Sequence, residues 1–274
     1  AISVLAEAAV KLVVGGVLLL VLWRTVSGAA LALTITIVCV AAVNVVLLRF
    51  LPRRSDLAKG IEHPYAYSLA TLATLVLLAL MISVDVLAAN RYLEPRTAGL
   101  YAAIALAGKI VFFATSSLSL VVLFPWFSAR QEGGRDSRRP LFLALAGTAA
   151  VSLVPVAVYF ATPQFVVGPL FGSGYDGAEE WIGWMALAYT GYALVYLAAT
   201  YLLSQRSTAG VAVLAVAVLA QFGALYSFHG SVRALVIVQG SVLGGAAVAM
   251  VWLCAAIKLR PAAQPLHLST GELV

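Results

Sequence analysis

An all-α integral membrane protein crossing a bilayer about eight times is the fold this sequence predicts. Three observations carry it. Hydrophobic residues make up 63% of the 274, while charged residues make up only 10%. The apolar residues gather in runs of about twenty, the length a helix needs to cross a hydrocarbon core about 30 Å thick. The Lys and Arg residues between the runs alternate from dense to sparse at each crossing, as cytoplasmic and external loops do. A soluble domain is about half apolar and about a quarter charged, and no fold of this size could hide so much apolar surface from water.

The runs place spans at 4–23, 27–48, 66–89, 98–123, 141–162, 181–203, 209–228 and 232–257. Closed β-barrels are the alternative spanning architecture. The run beginning at Tyr67 and ending at Asn90 lacks the alternation of a strand, which favours helices. The connections carry the punctuation. The polar segment 50–65 has two prolines and a glycine, 90–99 is short, and 128–140 is basic and glycine-rich. The segment 162–180 starts apolar and reads as interfacial or partly re-entrant, and 204–210 is a tight turn. Arg49, Arg53, Arg54, Lys59, Arg130, Arg135, Arg138, Arg139, Arg206, Lys258 and Arg260 fall on one side. Only Arg24, Arg91, Arg96 and Arg233 fall on the other. This orientation puts both ends in the cytoplasm. Tyr65, Tyr92, Tyr101, Trp126, Trp181, Trp184 and Tyr201 lie near proposed span ends, where amphipathic rings suit the interface.

The net charge of +6 sits in these connections, so it reads as topology and lipid-headgroup contact and not as a nucleic-acid surface. Cys39 and Cys254 lie inside apolar runs as small buried hydrophobes. His63, His229 and His267 lie in loops or the tail, and no Walker-type loop, HExxH or CxxC is present. Neither an enzyme nor a metal or other cofactor is expected. Asp176, Glu179 and Glu180 would suit a metal–diphosphate donor, but they fit better as the solvated start of the helix at 181.

Ionisable residues inside spans are the stronger signal, because each costs about 2.5–3.5 kcal/mol at a helix centre on insertion scales. Lys109 lies near mid-depth of the fourth span and Asp85 lies toward the outer end of the third. Arg91 follows at that end, as a site cation or an interfacial anchor. A cation facing a cavity would attract a phosphate; alternatively Lys109 snorkels or pairs with Asp85. Glu7 and Lys11 share a helix face in the favourable order and fit the cytoplasmic interface. Asn44, Ser116, Ser117, Ser119, Gln221, Gln239 and Ser241 are expected to hydrogen-bond between helices. Pro155 is expected to kink its span.

Between residues 66 and 205 the sequence resembles the polysaccharide-biosynthesis flippases of the multidrug/oligosaccharidyl-lipid/polysaccharide exporter superfamily. The features are Asp85 closing an apolar stretch, then Leu93, Pro95, Ala98, Gly99 and Tyr101 in a short connection, then Phe124 and Pro125. Phe171, Gly172, Tyr175 and Ala178 follow in a second connection. The flanking spans match in hydropathy alone.

The resemblance implies two six-helix lobes around a central cavity, flipping lipid-linked oligosaccharide by alternating access. Residues 66–257 would then be a whole C-terminal lobe and 1–50 the last two helices of an N-terminal lobe. Residues 51–65 would be the cytoplasmic inter-lobe linker and 258–274 a cytoplasmic tail. The first residue is Ala and not Met, and four further N-terminal helices are expected as partners of this chain. The expected function is flipping of a polyprenyl-diphosphate glycan across the cytoplasmic membrane, with Lys109, Arg91 and Asp85 as substrate-binding residues. Membrane lipids are further partners. A coupling ion, proton or sodium, enters with the alternative of a cation-coupled multidrug exporter that uses Asp85. A membrane-embedded glycosyltransferase or polymer ligase, or a structural membrane subunit, remains the reading from a different class.

Overall fold

The computed structural model describes residues 34, 35, 38, 42, 64–118, 138–172, 174, 175, 177–205 and 207–256. Two compact units divide the chain, Ala1–Glu62 and His63–Val274. In the first, Thr34, Ile35, Val38 and Ala42 are helical. The expected spans at 4–23 and most of 27–48, together with Glu7, Lys11, Phe124, Pro125, Asp176 and the tail, lie outside the described residues.

Among the described residues of the second unit there are eight helices: α1 (Pro64–Met81), α2 (Val84–Tyr92), α3 (Pro95–Leu118), α4 (Arg138–Ala161), α5 (Gln164–Phe171), α6 (Glu179–Ser204), α7 (Ala209–Ser227) and α8 (Val232–Ala256). No strand occurs among the described residues. Among the described residues six spans are long and apolar enough to cross a membrane, and α1 with α2 forms the first, Ser68–Tyr92. The protein is an all-α, multi-pass membrane protein. The last four spans lie within a few residues of those read from hydropathy, while the expected span 98–123 appears as Pro95–Ser116, with residues beyond 118 outside the described ones.

Local chemistry sets several boundaries. Pro64 and Pro95 open α1 and α3, where a missing N–H is harmless and the fixed φ suits a first turn. The segment after α4 becomes the short helix α5, with Phe165 and Leu170 exposed, consistent with an interfacial element. Gly172 ends α5 at φ +80, a left-handed conformation favouring glycine, and its N–H bonds back to the Gly168 carbonyl at 2.9 Å. Glu179 and Glu180 occupy the first turn of α6, where acids complement the helix dipole. Pro155 lies inside α4 and the helix continues past it.

Helix α6 is the centre of this unit, packed by α3, α4 and α8. Lipid tails are as apolar as Leu, so close packing rather than the hydrophobic effect joins helices in a bilayer. Small residues supply it. Gly108 of α3 lies flat against Tyr189 and Met185 of α6, leaving no room for a Cβ. Gly183 meets the Phe160 ring of α4 in the same way. The opposite surface is apolar and open, with Leu69, Leu72, Leu153, Val154, Val216 and Val248 about half to three-quarters exposed. So extensive an apolar exterior would be untenable in water.

Candidate functional site: a buried polar cluster at a broken helix

The first span is not continuous. Helix α1 stops at Met81, Ile82 and Ser83 form a turn, and α2 resumes at Val84. Neither Pro nor Gly stands in Met81–Val86. The helical ladder lapses where outside donors take over its carbonyls. The Tyr192 hydroxyl of α6 donates to the Leu78 carbonyl at 2.9 Å. Gln221 of α7 and Gln239 of α8 donate their amides to the Met81 carbonyl at 2.9 and 3.1 Å. Gln221 also donates to the Gln239 side-chain oxygen at 2.7 Å. Unwound backbone at membrane depth is tolerated where protein buries it and meets its polar groups.

Asp85 lies in the first turn of α2, directly after the break, where the positive end of a helix dipole favours its charge. It is completely buried. The Tyr101 hydroxyl of α3 donates to its Oδ2 at 3.0 Å. Tyr189 of α6 faces Asp85 and Gln239 without closing a hydrogen bond to either. Three buried side-chain atoms of the described residues lack a partner: Asp85 Oδ1, the Tyr189 hydroxyl and Gln221 Oε1. All three belong to this cluster and all are oxygens. An unpartnered buried carboxylate oxygen costs several times an ordinary surface one, so the cluster is chemically unfinished. It is suited to a proton or a hard cation, which oxygen donors beside unwound helix backbone bind in membrane carriers. Among the described residues no group of three or more His, Cys, Asp and Glu is placed to hold a metal ion.

The three expected site residues are not gathered together. Asp85 is in the cluster. Lys109 is half-buried on α3, about two turns beyond Tyr101. It lies within electrostatic reach of Asp85, yet no salt bridge joins them. Arg91 is exposed in the last turn of α2, its guanidinium 5.9 Å from the Tyr92 ring, which in turn stacks on His229 at 4.1 Å.

Tyr101 corrects one expectation. It is fully buried against Asp85 and is no interfacial anchor, because α3 begins at Pro95 and not near Ala98. Ser116 bonds its own helix, at the Phe113 carbonyl 3.4 Å away, whereas Gln221 and Gln239 do bond between helices. Tyr189 and Tyr192 carried no sequence signal beyond being aromatics inside an apolar run.

No family model, no curated protein and no solved structure matches this chain.

Proposed function

We propose that this protein is a cation-coupled membrane transporter, and that Asp85 with its cluster is the coupling site. The observation that carries the proposal is the fully buried carboxylate with an unpartnered Oδ1 beside a helix break. Binding a proton or cation there neutralises a costly charge and changes the bond tying α2 to α3, beside the break that α6, α7 and α8 hold through the carbonyls of α1. Such a change is a credible trigger for rocking one bundle against another. An intramembrane ionisable residue is by default a functional one.

For the substrate we take a polyprenyl-diphosphate-linked oligosaccharide, moved from the cytoplasmic to the external face of the cytoplasmic membrane, with both chain ends cytoplasmic. The spaced motifs between residues 66 and 205 support this reading, as does Lys109 at mid-depth for a diphosphate. The exporter of small cationic compounds is the second reading, favoured by an acidic residue, Asp85, being the most buried charge among the described residues.

The test is reconstitution of the full chain in vesicles with a labelled polyprenyl-diphosphate glycan and, separately, a cationic dye, each with and without an imposed proton or sodium gradient. Gradient-dependent glycan movement, lost in Asp85→Asn, is the expected result. Dye movement alone selects the exporter reading. No movement of either, beside a working control flippase, removes the transporter proposal.

A further inference from the structure

Helices α6 and α8 run parallel and touch where Gly191 meets Leu243, a Cβ on Gly191 falling 3.3 Å from the Leu243 carbonyl oxygen. Beside that contact they leave an open groove of about 870 Å³. Gly240, Gly244 and Ala247 lie along it, and Trp184, 54% exposed, forms part of its wall. At the end where both helices begin, Glu180 and Arg233 line its mouth. Both are exposed, and among the described residues no salt bridge joins them.

We propose that this groove holds one zwitterionic phospholipid of the phosphatidylethanolamine type. Arg233 takes the phosphate, for which a guanidinium fork is well shaped. Glu180 takes the ammonium, and an acyl chain lies over Gly240 and Gly244. Two features select this occupant. The mouth offers one cation and one anion, matching the two charges of the headgroup. From Arg233 to Ala247 the α8 backbone rises about 21 Å, more than the roughly 15 Å depth of one leaflet's hydrocarbon, so a whole chain fits below the head. A second groove of about 610 Å³ between α7 and α8 supplies the contrast. Its lining, which includes Val216, Ala220 and Gly245, has no charged residue, so it offers a chain a surface and a headgroup no anchor. The lipid site lies apart from the Asp85 cluster and does not depend on the transport reading.

Tryptophan quenching by bromine-labelled lipid tests it. In the full chain, Trp23, Trp126 and Trp252 are replaced by Phe, so that Trp181 and Trp184 report. The protein is placed in phosphatidylglycerol vesicles doped with dibromo-phosphatidylethanolamine or with dibromo-phosphatidylglycerol. Half-quenching is expected at a mole fraction about fivefold lower for the ethanolamine lipid, the size of one headgroup charge contact. Glu180→Gln should erase that difference. Gly244→Phe should weaken the ethanolamine quenching to the bulk level. Nothing lies within 4 Å of a Cβ at Gly244, so the backbone there has room for a side chain to start into the groove. Gly240→Leu, whose Cβ meets only Ala188 at 3.9 Å, is the second blocking variant. Equal half-points for the two lipids, unchanged quenching in both blocking variants, or no quenching by either lipid because protein covers the groove, would each overturn the proposal.

Discussion

The Tyr101 hydroxyl donates a 3.0 Å hydrogen bond to Asp85 Oδ2, sixteen residues back along the chain and across the α2–α3 turn. Both residues are fully buried, so the bond helps satisfy a carboxylate that reaches no water. It ties the restart of the broken helix to the helix that follows.

Removing that donor should therefore be felt. Tyr101→Phe removes the side-chain hydrogen bond to the Asp85 carboxylate at nearly constant volume. The expected loss of stability is about 1–3 kcal/mol, as for a buried polar group stripped of its partner. Asp85→Asn should be neutral or stabilising, because it removes a buried charge and keeps an acceptor for Tyr101. Denaturant unfolding in a fixed detergent compares the two; a Tyr101→Phe variant as stable as wild type would contradict the assigned bond.

Gln221 and Gln239 should behave as one unit. Each donates to the Met81 carbonyl, and they bond one another at 2.7 Å. Replacing either with Leu should cost about 1–3 kcal/mol, and the double variant should cost less than the sum, with a coupling of about 0.5–3 kcal/mol. Strict additivity would mean that the two amides act independently on the broken helix.

Two glycines should respond in opposite directions to Ala. At Gly108 a Cβ runs into Tyr189 and Met185, which predicts a loss of about 1–3 kcal/mol from overpacking. At Gly223 nothing lies within 4 Å. Gly223→Ala should be tolerated or stabilising, by up to about 1 kcal/mol of helix propensity. Thermal unfolding of the two variants in the same detergent, read by circular dichroism, separates them.

Lys109 is predicted to matter through its charge. Lys109→Ala should lower glycan transport by about tenfold or more, the size of a lost charge-assisted contact, while Lys109→Arg should retain most of it. The readout is initial flipping rate at matched membrane levels. Full activity in Lys109→Ala would remove this residue from the substrate site.

Much of the architecture was legible without coordinates. The spans within 66–257 follow from run length, because a helix must be about as long as the hydrocarbon is thick. The break at Ile82–Ser83 was not legible. No Pro or Gly marks it, and the donors that hold it open, Tyr192, Gln221 and Gln239, stand more than a hundred residues away. Helix α3 starts three residues before the hydropathy boundary, so Tyr101 is the buried partner of Asp85 and not an interfacial aromatic.

Residue by residue, the sequence alone determined that the chain spans a membrane as helices and that Asp85, Lys109 and the two glutamines are polar residues inside spans. Those are matters of composition and one-dimensional spacing, and a bilayer enforces them along each helix separately. Only the tertiary structure decided that Asp85 meets Tyr101 and not Lys109, and that four other helices converge on the broken one. Side-chain pairing across helices depends on their rotation and depth, which hydropathy does not encode. That packing gives the polar cluster its three unpartnered oxygens.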